Sequence, residues 1–346
     1  MAQNLSGDKY EVHLVLITES CVPIIDLPLH VTVHCLGATR IRTAAFALLK
    51  LVRRLRPRVI LSGMFHLNFL VLLLRPLFPS PVQVLVRQNG TVSSALAFGS
   101  LPIYTRWLYR LLYRRADAVI CQSRAMAGDL LRETGVRPDR IAILRNPVDV
   151  DQIRSSVRGG TNLWTGTGPH LLAVGRLSLE KGFDLLLQAL AIVRWQVPGA
   201  DAMIAGSGPE ADLLKLQCRM LGLEKAVRFA GQVDDPVVFF PGATAFVLSS
   251  RHEGLPNAML EAAAAGLPIV ALPSSEGITE LLDGQPGAWL ASAISAEALA
   301  ATLQAGLRQF ATQPRFEHEF IQPFQLESAI AAFEDLIDAK LREHSE

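Results

Sequence analysis

Two carboxylates and two cations stand out by their spacing. Glu253 and Glu261 lie in the stretch RHEGLPNAMLE (251–261), directly after a short apolar run that ends in Ser249 and Ser250. Gly254 and Pro256 make a turn, Pro256 suits a helix start, and residues 258–265 are strong helix formers. Glu253 is therefore predicted in a strand-to-helix loop and Glu261 about one turn inside the helix. That corner sets both carboxylates beside free helix amides, which favour an anion such as a diphosphate. A plainer assignment is open: Glu253 offsetting the helix dipole and Glu261 an ordinary surface carboxylate. In GRLSLEKG (175–182), Arg176 and Lys181 flank a loop after another apolar run, where a guanidinium fork and an ammonium point charge can together hold two phosphates. Glu180 pairing with either would leave only a surface salt bridge. GSGPE (206–210) also opens a helix after a strand, but it lacks the full GxGxxG spacing, and no acidic residue follows a strand about 20 residues on. A dinucleotide fold of the NAD type is disfavoured.

The elements that must position these residues follow from apolar periodicity. Short runs rich in β-branched residues alternate with longer helical patterns, the signature of βαβ units and parallel sheets buried on both faces. In the front half, strands are predicted over 11–17, 58–62, 82–87, 118–121 and 141–144, with helices over 43–55, 102–115 and 124–134. In the rear half, strands are predicted over 170–174, 202–205, 227–229, 244–248 and 268–271, with helices over 182–197, 209–221, 257–265, 279–282 and 296–310. The Gly-, Ser- and Thr-rich segment 155–168 reads as a linker. This gives an N-terminal domain over 1–154, a C-terminal domain over 169–322, and a final helix within 323–346 returning to the N-terminal domain. In doubly wound sheets ligands bind outside the carboxyl ends of the strands, so the loops after Val174, Ala205, Phe229 and Leu248 are where chemistry is expected.

Composition narrows the class. Across 346 residues, half are hydrophobic and 19% charged, far from the composition of disordered chains and long enough for two cores. The net charge of +1 hides an asymmetry: residues 1–150 hold 19 Lys and Arg against 9 Asp and Glu, and a basic face of this kind attracts phosphates, nucleic acid or anionic headgroups. A solvated arginine-rich surface explains the same numbers. Cys21, Cys35, Cys121 and Cys218 form no CxxC pair and have no His at metal-ligand spacing, so neither a disulfide framework nor a zinc site is expected, and a reducing cytoplasm fits. The most apolar run, 67–78, is broken by Arg75 and Pro76 and is too short to span a bilayer.

Taken in order, these pieces resemble a known family. Gly175-Arg176 to Lys181-Gly182, GSGP (206–209), GQVDD (231–235), Glu253 with Glu261 at E-x7-E spacing, and AGLPIVA (265–271) match the order and spacing of retaining GT-B glycosyltransferases, glycosyltransferase family 4. ADAVICQS (116–123) and NPVD (146–149) look like that family's approach to the interdomain linker. The resemblance runs from about Glu11 to the last helix. It implies an α/β fold of two Rossmann-like, doubly wound parallel-sheet domains facing a cleft, with a nucleotide-sugar donor, UDP rather than GDP on family frequency, in the C-terminal domain. It assigns the donor diphosphate to Arg176 and Lys181, the donor sugar to Glu253 and the ribose hydroxyls to Glu261. Backbone amides of Gly254, Leu255, Pro256 and Asn257 are assigned to phosphate and sugar in the family pattern, Pro256 itself having no amide hydrogen, and the Val233 backbone to the base. It further implies retention of anomeric configuration and no metal cofactor, since protein cations stabilise the leaving group. The absence of a DxD agrees, Asp234 and Asp235 being adjacent and suited to capping the next turn.

The sequence departs from the family in two places. Residues 1–7 read like the tail of a first helix, so the first strand of the N-terminal domain and its Gly-rich loop are missing from the pattern. An in-frame upstream segment encoding them is expected, because losing a central strand exposes ladder groups. Where many relatives carry a His facing the donor sugar, this chain has Arg87-Gln88-Asn89-Gly90, so Arg87, Gln88 or Asn89 must supply the polar contact; His66 and His252 are the other candidates. The acceptor is suggested by LPIYTRWLYRLLYRR (101–115), which interleaves aromatics with arginines as an interfacial helix does. With the basic front half it favours a glycan or lipid-diphosphate acceptor at an anionic, cytoplasmic membrane face, in polysaccharide or glycolipid synthesis; a helix packed on the sheet with its arginines in water fits equally. Two other readings stand beside glycosyl transfer: an epimerase or phosphorylase on the same scaffold, and a non-catalytic nucleotide-sugar-binding remnant.

Overall fold

The computed structural model describes residues 2–17, 27–38, 41–97 and 105–343. The chain divides into two compact units, Met1–Pro147 with Glu327–Glu346, and Val148–Leu326. In the first, β1 (Val12–Leu16) pairs in parallel with β2 (Val31–Cys35). Then follow α1 (Ala45–Leu55), β3 (Val59–Ser62), α2 (Phe65–Leu74), β4 (Gln83–Arg87), α3 (Val92–Ala97), α4 (Thr105–Leu112), β5 (Ala118–Cys121), α5 (Arg124–Thr134) and β6 (Ile141–Ile143). Strands β3-β4-β5-β6 form a parallel sheet separate from β1-β2 among the described residues.

The second unit opens on α6 (Val150–Gly159), followed by β7 (His170–Val174), α7 (Phe183–Gln196), β8 (Asp201–Ala205), α8 (Ala211–Met220), β9 (Val227–Gly231) and β10 (Ala245–Leu248). It continues through α9 (Asn257–Ala264), β11 (Ile269–Ala271), α10 (Glu276–Leu282), β12 (Ala288–Leu290) and α11 (Ala296–Phe310). Its six parallel strands run β12-β11-β10-β7-β8-β9. The first strand, β7, thus has β8 on one side and β10 on the other, and strand order reverses between β7 and β10, where such sheets open a ligand crevice. The side-chain period of two explains the two cores. Leu171, Ala173, Ala245 and Val247 face a cluster with α7, α8 and α11, while Leu172, Phe246 and Leu248 face one with α6, α9 and α10. The closing helix α12 (Leu326–Arg342) belongs to the first unit: Phe333 and Ile337 pack against Leu85, Ala118 and Ile120 on the sheet face opposite Val84, Val86 and Val119.

Several sequence expectations differ from the structure. Residues 155–159, read as linker, are helical, because Asp149 caps α6 by accepting from the Gln152 amide and the helix buries Val150 and Ile153. The Ser and Gly residues that suggested a loop sit beside this packed stripe, and tertiary burial outweighs their weak helix propensity. The apolar run at 67–78 supplies most of α2, with Leu70, Val71 and Leu72 buried; no helix among the described residues is long and apolar enough to cross a membrane. In the aromatic–arginine helix, residues 101–104 lie outside the described residues. Tyr109 and Tyr113 are core residues, and Arg106 pairs with Glu133, so only Trp107 and Leu111 remain as exposed large apolar side chains there.

Glycines hold the second unit's loops close together. Gly206 has φ +143°, and a Cβ there would stand 1.9 Å from the Gly175 carbonyl oxygen; Gly222, after α8, has φ +67° but open space around it. Gly206→Ala is therefore expected to cost about 2–4 kcal/mol, from backbone strain plus the clash, and Gly222→Ala about 1 kcal/mol from strain alone. Thermal melts of both variants check this; equal Tm losses would remove the close approach as the cause.

Candidate active site at the β7/β10 switch point

The loop after β7 (175–182) is bonded to its neighbours on both sides. The Leu177 amide donates to the Ser207 carbonyl and the Glu210 amide to the Leu177 carbonyl, each at 2.9 Å. On the other side, the Arg251 amide donates to the Glu180 carbonyl at 2.8 Å and the Ser249 hydroxyl to the Lys181 carbonyl at 3.0 Å. Close approach demands glycine at two positions besides Gly206: a Cβ at Gly208 would stand 2.3 Å from the Leu177 oxygen, and one at Gly182, with φ +62°, 2.0 Å from the Ser249 oxygen. The three strand-end loops form one rigid platform.

Beside that platform lies a pocket of about 600 Å³, lined by Arg176 with Gly175, Gly206 to Gly208, Gln232 and Val233. Lys181, Glu253 and Glu261 are not among its lining residues. Lys181 is nevertheless adjacent, since its stem lies against Gly175, where a Cβ would meet its Cδ at 3.5 Å. The Lys181 ammonium donates to Glu253 Oε1 at 2.5 Å, and Ser250 Oγ donates to the same oxygen at 2.8 Å. The Glu253 side chain is 9% exposed and that of Lys181 25%. A carboxylate so buried is held by the pair, and removing one partner would leave an uncompensated charge.

Arg251 braces this arrangement. Its guanidinium makes a two-pronged contact with Asp184 in the first turn of α7, at 2.7 and 2.6 Å, and also donates to the Leu179 carbonyl at 2.9 Å. Burial pushes the Asp184 carboxyl up, but Arg251 outweighs it and holds the carboxyl below its ordinary range. The turn carrying Lys181 is thereby fixed to the loop carrying Glu253. Sequence reading passed over Asp184 and Ser250; the signal available for Asp184 was an acidic residue in the first turn of a helix directly after the Lys-Gly pair.

Glu261 sits one turn into α9, as expected, half-buried, with its carboxyl pKa raised by burial and by the nearby Asp235. Asp235 itself accepts from the Val237 amide at 2.9 Å and caps the following turn. Asn257 opens α9, with Pro256 at the cap position, and Leu255 is buried. The structure thus joins Lys181 to Glu253 directly and sets Arg176 with Val233 in the pocket. It shows no contact between Glu253 and Glu261. His252 and His66 are half-buried residues whose ring pKa is lowered by burial. Among the described residues, no group of three or more His, Cys, Asp and Glu is placed to hold a metal ion.

The charged side chains gathered at the switch point of this doubly wound α/β unit stand where such folds take their ligands. Comparison with known proteins narrows the class. Residues 168–309 match the family model described as "Glycosyl transferases group 1" and residues 1–147 that of "Glycosyl transferase 4-like domain". The chain belongs to the GT-B glycosyltransferases. It is 30% identical over 175 residues to the lipopolysaccharide core biosynthesis glycosyltransferase LpsE of Rhizobium meliloti, covering 51% of this chain and 49% of that protein. Among solved structures, sucrose-phosphate synthase from Thermosynechococcus elongatus superposes with a TM-score of 0.81 at 19% identity, over 99% of this chain and 92% of that one. Anabaena HepE in complex with UDP gives 0.70 at 17% identity, over 90% and 86%. The last two likenesses are of fold. The chain spans about half the length, or less, of the curated relatives it matches.

The raised pKa of Glu261 has a testable sign. Its folded value lies above the unfolded one, so the folded state holds its proton longer and stability falls as pH rises through that interval. Glu261→Gln is therefore expected to melt at or above the wild-type temperature at pH 7. The advantage should vanish as pH drops below the ordinary carboxylate range. A variant that is less stable than wild type at pH 7 would contradict the burial argument.

Proposed function

We propose that this chain transfers a glycosyl group from a nucleotide sugar, a UDP-sugar by preference, to a glycan or lipid-linked acceptor in polysaccharide or glycolipid synthesis. The observation that carries this reading is the meeting of Lys181 and Glu253 at the β7/β10 crevice, beside a pocket lined by Arg176 and Val233. UDP in the HepE complex and the lipopolysaccharide role in the name of LpsE support it. In this reading the 148–326 unit takes the donor, with its base against the Val233 backbone, its ribose hydroxyls on Glu261 and its diphosphate on Arg176, Lys181 and the backbone around Gly254 and Asn257. Glu253 contacts the donor sugar. The bond from the sugar's anomeric carbon to the diphosphate breaks as the acceptor hydroxyl bonds to that carbon from the same face, and the hydroxyl proton passes to the departing phosphate oxygen. Configuration is retained. The two cations stabilise the charge that develops on the leaving diphosphate, so no metal cofactor is needed.

Donor binding must compete with the Lys181–Glu253 pair, and that gives the reading its test. Lys181→Ala should lower turnover with a UDP-sugar by about 10²–10³-fold, the scale of removing one electrostatic stabiliser of a transition state. It should also destabilise the ligand-free protein, because Glu253 is left buried and unpaired. Combining Lys181→Met with Glu253→Gln should recover stability without recovering turnover. Assays in EDTA should match those in magnesium. Recovery of turnover in the double variant, or loss in EDTA, would refute this chemistry.

A membrane-facing acceptor is favoured by charge. Between Asp26 and Asp117 the sequence holds 13 Lys and Arg and no Asp or Glu. On α1, Phe46 is 79% exposed on the helix that also exposes Lys50, Arg53 and Arg54. Basic residues around an exposed aromatic suit an anionic lipid surface. Flotation of the full chain with phosphatidylglycerol vesicles should succeed and weaken with salt; flotation equal on neutral phosphatidylcholine vesicles would exclude it.

A further inference from the structure

The carboxyl end of the β3-β4-β5 sheet carries a cation that the donor site leaves unused. Arg87 ends β4, and its Nη2 donates to the side-chain oxygen of Asn146. Its Nε is shielded from solvent and has no hydrogen-bond partner, and among the described residues no carboxylate pairs with it. Burial pushes its pKa down, with no compensating charge. Arg315, also largely desolvated, differs: its guanidinium donates to three backbone carbonyls, those of Ala243, Pro314 and Phe240. A structural arginine is satisfied in that manner. A guanidinium with one neutral acceptor and a shielded, idle N–H is costly, because buried charges are stable only when paired and hydrogen-bonded.

The surroundings point the same way. Ser62 at the end of β3 and Gln122 just after β5 are 6% and 5% exposed, and the Ser62 hydroxyl and the Gln122 side-chain oxygen also lack partners. Their strands flank β4: Ile120, two residues before Gln122, is in register with Arg87, while Ser62 is in register with Val86 and so lies on the opposite face. The intervening polar groups are held in place. The Asn68 amide donates to the Arg87 carbonyl at 2.9 Å, Tyr113 donates to Gln88 at 2.8 Å, and Asn89 donates to the Gly63 carbonyl. Rigid polar residues with selected unused donors and acceptors, at strand carboxyl ends, are how open parallel sheets receive ligands.

We infer that Arg87 receives an anionic group, a phosphate or a carboxylate, carried by the acceptor at the carboxyl end of β4. The inference rests on the glycosyl-transfer reading for the identity of that substrate, and on the first unit alone for the site. The acceptor is then acidic: a sugar phosphate, a lipid diphosphate or a uronic acid. A guanidinium offers two parallel donors to either anion; a lysine offers a single point charge.

The test uses the full chain and the variants Arg87→Gln and Arg87→Lys, with calorimetric titration of UDP. Inorganic phosphate and glucuronate are then titrated into protein saturated with UDP. A Kd for UDP at least ten-fold weaker in Arg87→Gln, with phosphate and glucuronate binding unchanged, overturns the inference. An unchanged UDP Kd with phosphate or glucuronate binding lost in Arg87→Gln is the expected result. Arg87→Lys should recover part of whichever affinity is lost. Without ligand, Arg87→Gln should melt no lower than wild type, since it removes an unpaired buried charge. Unchanged binding of all three probes overturns the inference, whether or not the variant is less stable. Should wild-type protein fail to bind UDP, the donor reading fails by itself, and phosphate and glucuronate titrated without UDP still test Arg87.

Discussion

The backbone bonding of three strand-end loops is the constraint on which the rest of the candidate site depends. The loop from Gly175 to Gly182 is fixed on one side to Ser207 and Glu210 and on the other to Ser249 and Arg251. Side chains projecting from such a platform have little freedom left to lose, so their charges are oriented before any ligand arrives. Gly182, Gly206 and Gly208 matter less for flexibility than for the missing Cβ that lets one backbone touch the next. Gly206 and Gly208 also line the neighbouring pocket with Arg176.

Charge at this point is held in tension. Lys181 and Glu253 neutralise each other in the ligand-free protein, while Glu261 is a carboxylate that the fold makes harder to ionise. A site built for stability alone would carry neither feature, because a well-packed apolar pair commonly replaces a buried ion pair without loss. Under the proposed function, a diphosphate would take over the ammonium's contact and sugar hydroxyls those of the carboxylates. Arg251 and Asp184 join the two loops independently of the Lys181–Glu253 pair.

Much of this was legible in the sequence because the rear half is regular. Runs such as HLLAV and AFVL alternate with helices at the spacing of a doubly wound sheet, and the strands at 118–121 and 170–174 and the helices at 124–134 and 296–310 have the expected bounds. The loops carrying Arg176, Lys181 and Glu253 fall after strands as the periodicity requires. What was not legible depends on tertiary contact. β2, VTVHC, alternates apolar with polar residues too briefly to stand out, and β12 contributes only Ala288–Leu290. The helical state of 155–159 is fixed by packing against its unit, and composition argued against it. The aromatic–arginine pattern of 105–115 mixes two populations that sequence cannot separate: tyrosines turned to the core and Trp107 and Leu111 turned to solvent. The bond between Lys181 and Glu253, 72 residues apart, follows only once β7 and β10 are known to be neighbours.

The most direct test of the central claim is a crystal structure of the full chain with a bound UDP-sugar. The diphosphate should lie within hydrogen-bonding distance of both Arg176 and Lys181, with the ammonium drawn from Glu253 toward phosphate and the carboxylate turned to the sugar. A nucleotide bound elsewhere, or a Lys181–Glu253 pair left intact with the diphosphate out of its reach, would contradict it.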